Sequence, residues 1–139
     1  MRKVRLFTHE FEIRKSSVGM ERNMTLSECY KEMGADLQEV LRRLKTEERI
    51  GKFLKLILTD TNYESLCKAL EEKDYEQAFT HIHNLKGLAM NLGLTPLLLP
   101  AQELCEELRE GEPERDIKPL LDEVEAAHQR VLGIVEKLD

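Results

Sequence analysis

From Thr25 onward the apolar residues return every three or four positions, the period of helices with one buried face. The last stretch is the clearest: Ile117, Leu120, Val124, Ala127, Val131, Ile134 and Leu138 form a continuous seam of the kind that packs helices with nearly parallel axes. A second stripe, Ala78, Ile82, Leu85, Ala89 and Leu92, is narrow and leaves most of its helix to solvent. Start signals come in series. Thr25-x-x-Glu28, Asp36-x-x-Glu39, Thr61-x-x-Glu64 and Asp74-x-x-Gln77 have capping-box form, and Thr46 precedes two glutamates. Thr95-Pro96 reads as an N-cap followed by proline at the first helical position, and Asp116 opens the last helix. Gly93 and Gly111 are natural C-terminal stops. These signals predict helices near 25–33, 36–45, 46–73, 74–92, 95–110 and 116–138. The first long one is kinked or split at Asp60, where Thr59-Asp60-Thr61-Asn62 is poor helix sequence. Pro100 removes one hydrogen bond, to the Pro96 carbonyl, and bends the first turn of its helix. Connections of about two to five residues make neighbouring helices antiparallel. The expected fold is therefore all-α, an antiparallel up-down four-helix bundle with short additional N-terminal helices.

Composition sharpens this picture. The 139 residues are one domain's worth, 41% apolar and 35% charged with no tryptophan, which suits a bundle packed with aliphatic side chains. Residues 1–23 carry a net charge of +3 and the remainder −9. Phe7, His9, Phe11 and Ile13 alternate like a short strand, and Ser16-Ser17-Val18-Gly19 resembles a linker. The reading is a flexible leader or non-native extension over 1–23 and a helical domain over 24–139. With a net charge of −6 and no basic stripe, the chain lacks what a general nucleic-acid binder needs. Apolar runs such as Leu97-Leu98-Leu99 are far too short to span a bilayer, so no membrane association is expected. Cys29, Cys67 and Cys105 stand far apart, without a CxxC pair or a signal peptide, which points to reduced thiols and a cytoplasmic location.

Chemistry concentrates in one run, His81 to Gly93. His83 points away from the apolar stripe, and Lys86 and Gly87 follow it by three and four residues on the same side. Lys86 is placed to pair with an anion attached to the imidazole. Gly87 costs roughly 1 kcal/mol in a helix relative to alanine. Its place on the exposed face suits a surface that another backbone approaches, whereas close packing against a neighbouring helix would put it near the stripe. His81 and His83 diverge by roughly 200° on a helix and cannot chelate one metal ion. His128 stands alone on the last helix, at a boundary position of the bundle. The acid-rich run Glu103 to Glu114 reads as a solvated face with Arg109 and Arg115 interspersed. Nothing lowers a thiol pKa or orients a base for a cysteine nucleophile.

His83-Asn84-Leu85-Lys86-Gly87, followed by Asn91-Leu92-Gly93, resembles the signature of the histidine phosphotransfer (HPt) domain, H-x-L-K-G with N-L-G eight residues after the histidine. Asp74 to Ala78 before it and Gln102 to Gly111 after it are similar to that family's flanking helices, and the resemblance covers about residues 25–138. It implies that His83 accepts a phosphoryl group from a receiver-domain aspartate and passes it on. By the same resemblance Lys86 steadies the phosphate and Gly87 admits the receiver. Asn91 matches a family position, although helix termination explains it equally well. An apolar rim around the histidine is implied, with Phe79, Thr80 and Met90 as candidates; for Phe79 and Met90, contact with the next helix is an equal reading.

The implied protein is a carrier with no ATP-dependent kinase activity and no cofactor of its own, the Mg²⁺ lying on the partner receiver. Its implied partners are response-regulator receiver domains and a hybrid histidine kinase, and it acts as a monomer. Two alternatives stand beside this: an adaptor bundle without phosphotransfer, and the phospho-accepting domain of a larger histidine kinase. An end at Asp139 directly after the last helix, together with the Asn91-Leu92-Gly93 ending, favours a stand-alone relay protein.

Overall fold

The structure, a computed structural model, describes residues 23–139. The expected leader, with its Phe7–Ile13 strand, lies outside the described residues apart from Asn23. Among the described residues the chain forms seven α-helices: α1 Leu26–Met33, α2 Leu37–Leu44, α3 Glu47–Lys55, α4 Asn62–Glu71, α5 Tyr75–Asn91, α6 Thr95–Leu108 and α7 Lys118–Val135. A 3-10 turn, Leu56–Thr59, joins α3 to α4, so the long predicted helix is split next to Asp60. No helix among the described residues is long and apolar enough to cross a membrane.

Most starts follow the sequence signals. Thr25 and Glu28 close a reciprocal capping box on α1, and Asp36, Thr46 and Asp74 each accept the backbone N–H three residues on. Three starts differ. Thr61 makes no capping bond; Asp60 instead accepts both the backbone N–H and the side-chain amide of Asn62, at 3.1 and 2.8 Å. A carboxylate two residues before an N–H forms a tight local turn that displaces the hydroxyl cap. Thr95 is the first residue of α6 rather than its cap, because the chain already turns at Gly93 and Leu94 takes the cap position. Asp116 accepts the Lys118 N–H at 3.0 Å, so α7 starts later than predicted and the 109–117 connection exceeds the expected length. Pro100 sits inside α6, buried, at a point where the helix continues on both sides.

α5 packs against both α4 and α6, α6 against α7, and α1 lies on α7. The narrow α5 stripe is buried as predicted: Ala78, Ile82, Leu85 and Ala89 are wholly enclosed and Leu92 nearly so. The α7 seam is wider than the sequence suggests. Leu132 and Val135 are buried beside Val131 and Ile134, because α1 covers a second flank of the helix. Cys29 of α1 contacts the Ile134 carbonyl, and Arg130 of α7 donates to the Glu32 carbonyl. The ends are tied as well, with the Met24 N–H bonded to the Lys137 carbonyl at 2.7 Å and the Asp139 N–H to the Met24 carbonyl at 3.0 Å.

His128 is a correction. It is not at a boundary but 3% exposed, stacked on Tyr63 with ring centroids 5.1 Å apart. Burial pushes its pKa from 6.5 down to about 4, with Asp60 opposing. The unfolded chain therefore takes up a proton near pH 6.5 that the native ring refuses until about pH 4. Stability is present above pH 6.5, falls as pH drops through that window, and levels off below it. The loss attributable to this ring is on the order of 3 kcal/mol. Urea unfolding at about pH 7 and about pH 4.5 is expected to show it in the wild type, with a clearly smaller loss in His128→Met.

Candidate functional site

The site is built on α5. Seventeen residues make it about 26 Å long, and each end is fixed. At the start Asp74 accepts the Gln77 N–H at 3.2 Å. At the end the Gly93 N–H bonds to the Met90 carbonyl at 3.2 Å and the Leu94 N–H to the Ala89 carbonyl at 2.8 Å, the two bonds of a Schellman motif. Two residues that the sequence pattern did not flag complete this end. Arg43 of α2 donates to the carbonyls of Met90 and Asn91, at 2.9 and 3.0 Å, while Glu39 holds it on its own helix. The Tyr30 hydroxyl of α1 donates to the Leu92 carbonyl at 2.8 Å. A cation at a helix C-terminus also suits the helix dipole. The short N-terminal helices thus serve the site by anchoring the end of the helix that carries it.

His83 is exposed in mid-helix, its ring stacked on Phe79 one turn earlier, with centroids 5.8 Å apart and planes 22° apart. Gly87 lies one turn later, and a Cβ built there meets nothing within 4 Å. Packing against a neighbouring helix therefore does not explain this glycine; the space beside it is open. Lys86 is half-buried, and its charge is felt at Cys105 and Glu106, which places it on the α6 side of the helix. Thr80 is exposed with its hydroxyl turned back onto the Glu76 carbonyl at 3.1 Å. Met90 is 46% exposed, and Asn91 is exposed at the end of the helix. The structure thus brings Phe79, His83, Lys86 and Gly87 together and sets Met90 and Asn91 towards the C-terminal end. Phe79 also meets the end of the next helix, because the guanidinium of Arg109, the residue that caps α6, lies 5.7 Å from its ring centroid.

His81 belongs to another face. Its Nδ1 is 3.0 Å from Asn62 Oδ1, which also accepts from Asn84 Nδ2 at 3.3 Å. Since that oxygen only accepts, Nδ1 of His81 carries the proton and donates it. One histidine is thus committed to α4 while the other faces solvent. Two of the thiols, Cys29 and Cys105, are poor nucleophiles here. Burial pushes Cys29 up to about 11, and burial likewise raises Cys105, with Lys86 partly offsetting it.

The arrangement offers a nucleophilic imidazole on an open helix face, one turn from a position without a side chain and beside a cation. No curated protein and no solved structure matches the chain. Residues 56–133, more than half of the chain and all of α4 to α6, match the family model of the Hpt domain, and the chain belongs to that family.

Proposed function

We propose that this chain is a relay carrier that takes a phosphoryl group onto His83 from the phospho-aspartate of one receiver domain and gives it to another. Family membership supports the general part, since Hpt domains are phosphocarrier modules of two-component signalling rather than kinases. The observation that carries the specific part is the pairing of an exposed His83 with open space at Gly87. A receiver must bring its aspartate within bonding distance of the imidazole, and a helix surface flat at that turn allows its backbone to approach.

The chemistry asks little covalent work of the protein. A neutral ring nitrogen of His83 attacks phosphorus, the N–P bond forms, the acyl P–O bond breaks, and the aspartate leaves as carboxylate. The other ring nitrogen keeps its proton, so no general base is needed. The phosphoryl group adds negative charge to a surface where Lys86 stands three residues away along the helix, and such positioning with charge neutralisation is most of what phosphoryl transfer requires.

The proposal includes the finer expectations: an antiparallel up-down four-helix bundle as the carrier, working as a cytoplasmic monomer between a hybrid histidine kinase and receiver domains. It has no nucleic-acid or membrane partner and no cofactor of its own, with Mg²⁺ on the receiver. Thr80, Met90 and Asn91 border the docking face.

Gly87→Leu separates docking from folding. The variant is expected to be as stable as wild type or up to about 1 kcal/mol more stable, since a helix former replaces glycine in open space. Transfer from a phosphorylated receiver is expected to slow at least about fivefold, because the side chain now fills the approach. Rapid-quench transfer kinetics beside a denaturant titration check both, and an unchanged transfer rate would remove Gly87 from the docking surface.

A further inference from the structure

The C-terminal end of α6 reaches across to Phe79 through a side chain that the sequence left in a solvated acidic face. Arg109 lies 5.7 Å over Phe79, and Phe79 lies 5.8 Å from His83 with its ring tilted by only 22°. Glu106 grips the guanidinium from within α6, at 3.0 Å to Nε and 3.1 Å to Nη2. That fork holds the Glu106 carboxyl below the usual carboxylate range and Arg109 above its own. Four groups from α5 and the end of α6 therefore stand in series: carboxylate, guanidinium, phenyl ring, imidazole. An ordinary surface ion pair at this spacing explains the first contact and nothing beyond it, because such a pair needs no partner on α5. It does not explain a guanidinium directed over an aromatic ring, the arrangement that ring quadrupoles favour.

The consequence falls on the imidazole. Phe79 is half-buried with one flank against the core, so its ring is a fixed shelf rather than a free side chain. An exposed histidine on a helix has about two accessible χ1 wells and a broad twofold χ2, or about four orientations. Only some of these aim a ring nitrogen along the line of attack that transfer requires.

We propose that Glu106, Arg109 and Phe79 form a clamp that holds the His83 imidazole in one orientation for in-line attack, with Arg109 a positioning residue that acts through Phe79. The proposal rests on His83 as phospho-acceptor, yet the clamp is observable without any phosphate. It also gives Phe79 a role distinct from receiver docking.

The test compares full-length wild type with Phe79→Leu, Arg109→Ala and Arg109→Lys. Proton NMR follows the His83 ring signals, assigned by their loss in His83→Gln, and rapid-quench kinetics follow transfer from a phosphorylated receiver. In Phe79→Leu and Arg109→Ala the ring signals are expected to move towards those of an unstacked histidine, with transfer slowed by up to about fourfold, the number of orientations released. Arg109→Lys is expected to keep most of the wild-type shift and rate, since an ammonium can also sit over the ring. Wild-type ring positions in either Phe79→Leu or Arg109→Ala would overturn the clamp. Shifted signals with an unchanged Arg109→Ala rate would overturn its part in transfer. If no receiver charges the wild type, the relay reading falls, and the ring signals alone then decide whether His83 is held.

Discussion

His83→Gln is expected to abolish phosphoryl acceptance while leaving stability within about 0.5 kcal/mol of wild type. The two halves follow from different facts. The imidazole is exposed and is the nucleophile in the proposed transfer, whereas glutamine offers only an amide nitrogen whose lone pair is delocalised into its carbonyl. Stability barely changes because the side chain supports little of the fold. It makes one stacking contact with Phe79 at helical i,i+4 spacing, and such pairs contribute about 0.2–0.5 kcal/mol. Glutamine recovers part of that through its better helix propensity. Far-ultraviolet circular dichroism and a denaturant midpoint check the second half, and receiver-to-protein transfer checks the first. Loss of helical content would mean that the ring is structural. Retained acceptance would mean that another group is the acceptor.

Gly93→Ala is expected to have the opposite profile, a loss of about 3 kcal/mol in stability. Gly93 has φ of +66°, and that left-handed conformation costs a residue with a Cβ about 1–2 kcal/mol. The new carbon would also stand 2.6 Å from Val40 Cγ2 and 3.1 Å from the Asp36 carbonyl oxygen. Val40 is wholly buried and Asp36 caps α2, so neither can yield without moving that helix, and overpacking of this kind costs about 1–3 kcal/mol. Gly34 is the natural comparison. Its φ is +69°, but a Cβ there meets nothing closer than 3.7 Å, so Gly34→Ala is expected to cost only the conformational part. Urea titrations of the two variants separate strain from clash. Equal losses would show that α2 repacks freely around the end of α5. Should Gly93→Ala stay folded, the shift also reaches the carbonyls that Arg43 holds, so the setting of Met90 and Asn91 changes with it.

What was legible in the sequence was what is local. The α5 stripe, the His83–Lys86–Gly87 spacing and the Gly93 stop all lie within one helix and its cap, where periodicity alone fixes which residues share a face. The features that escaped depend on neighbours distant in the chain. Arg109 reads as one more charge in an acidic run until α6 is laid beside Phe79. His128 reads as a boundary residue until it is enclosed against Tyr63. Arg43 and Tyr30 carry no sequence signal for capping a helix other than their own. Two helix starts escaped for a subtler reason: Asp60 takes the local hydrogen bond that the adjacent Thr61 offered to make, and the turn at Gly93 leads the chain into α6 one residue before Thr95 could cap it.

Direct mapping of the phosphoryl group tests the relay role most sharply. The folded wild type is charged with a panel of phosphorylated receiver domains, and the modified residue is located by fragmentation under conditions that preserve N–P bonds. The expected result is one acid-labile, alkali-stable phosphoryl group on His83. Phosphate on another residue, such as His81 with its Nδ1 proton committed to Asn62, or no charging by any receiver, would contradict it.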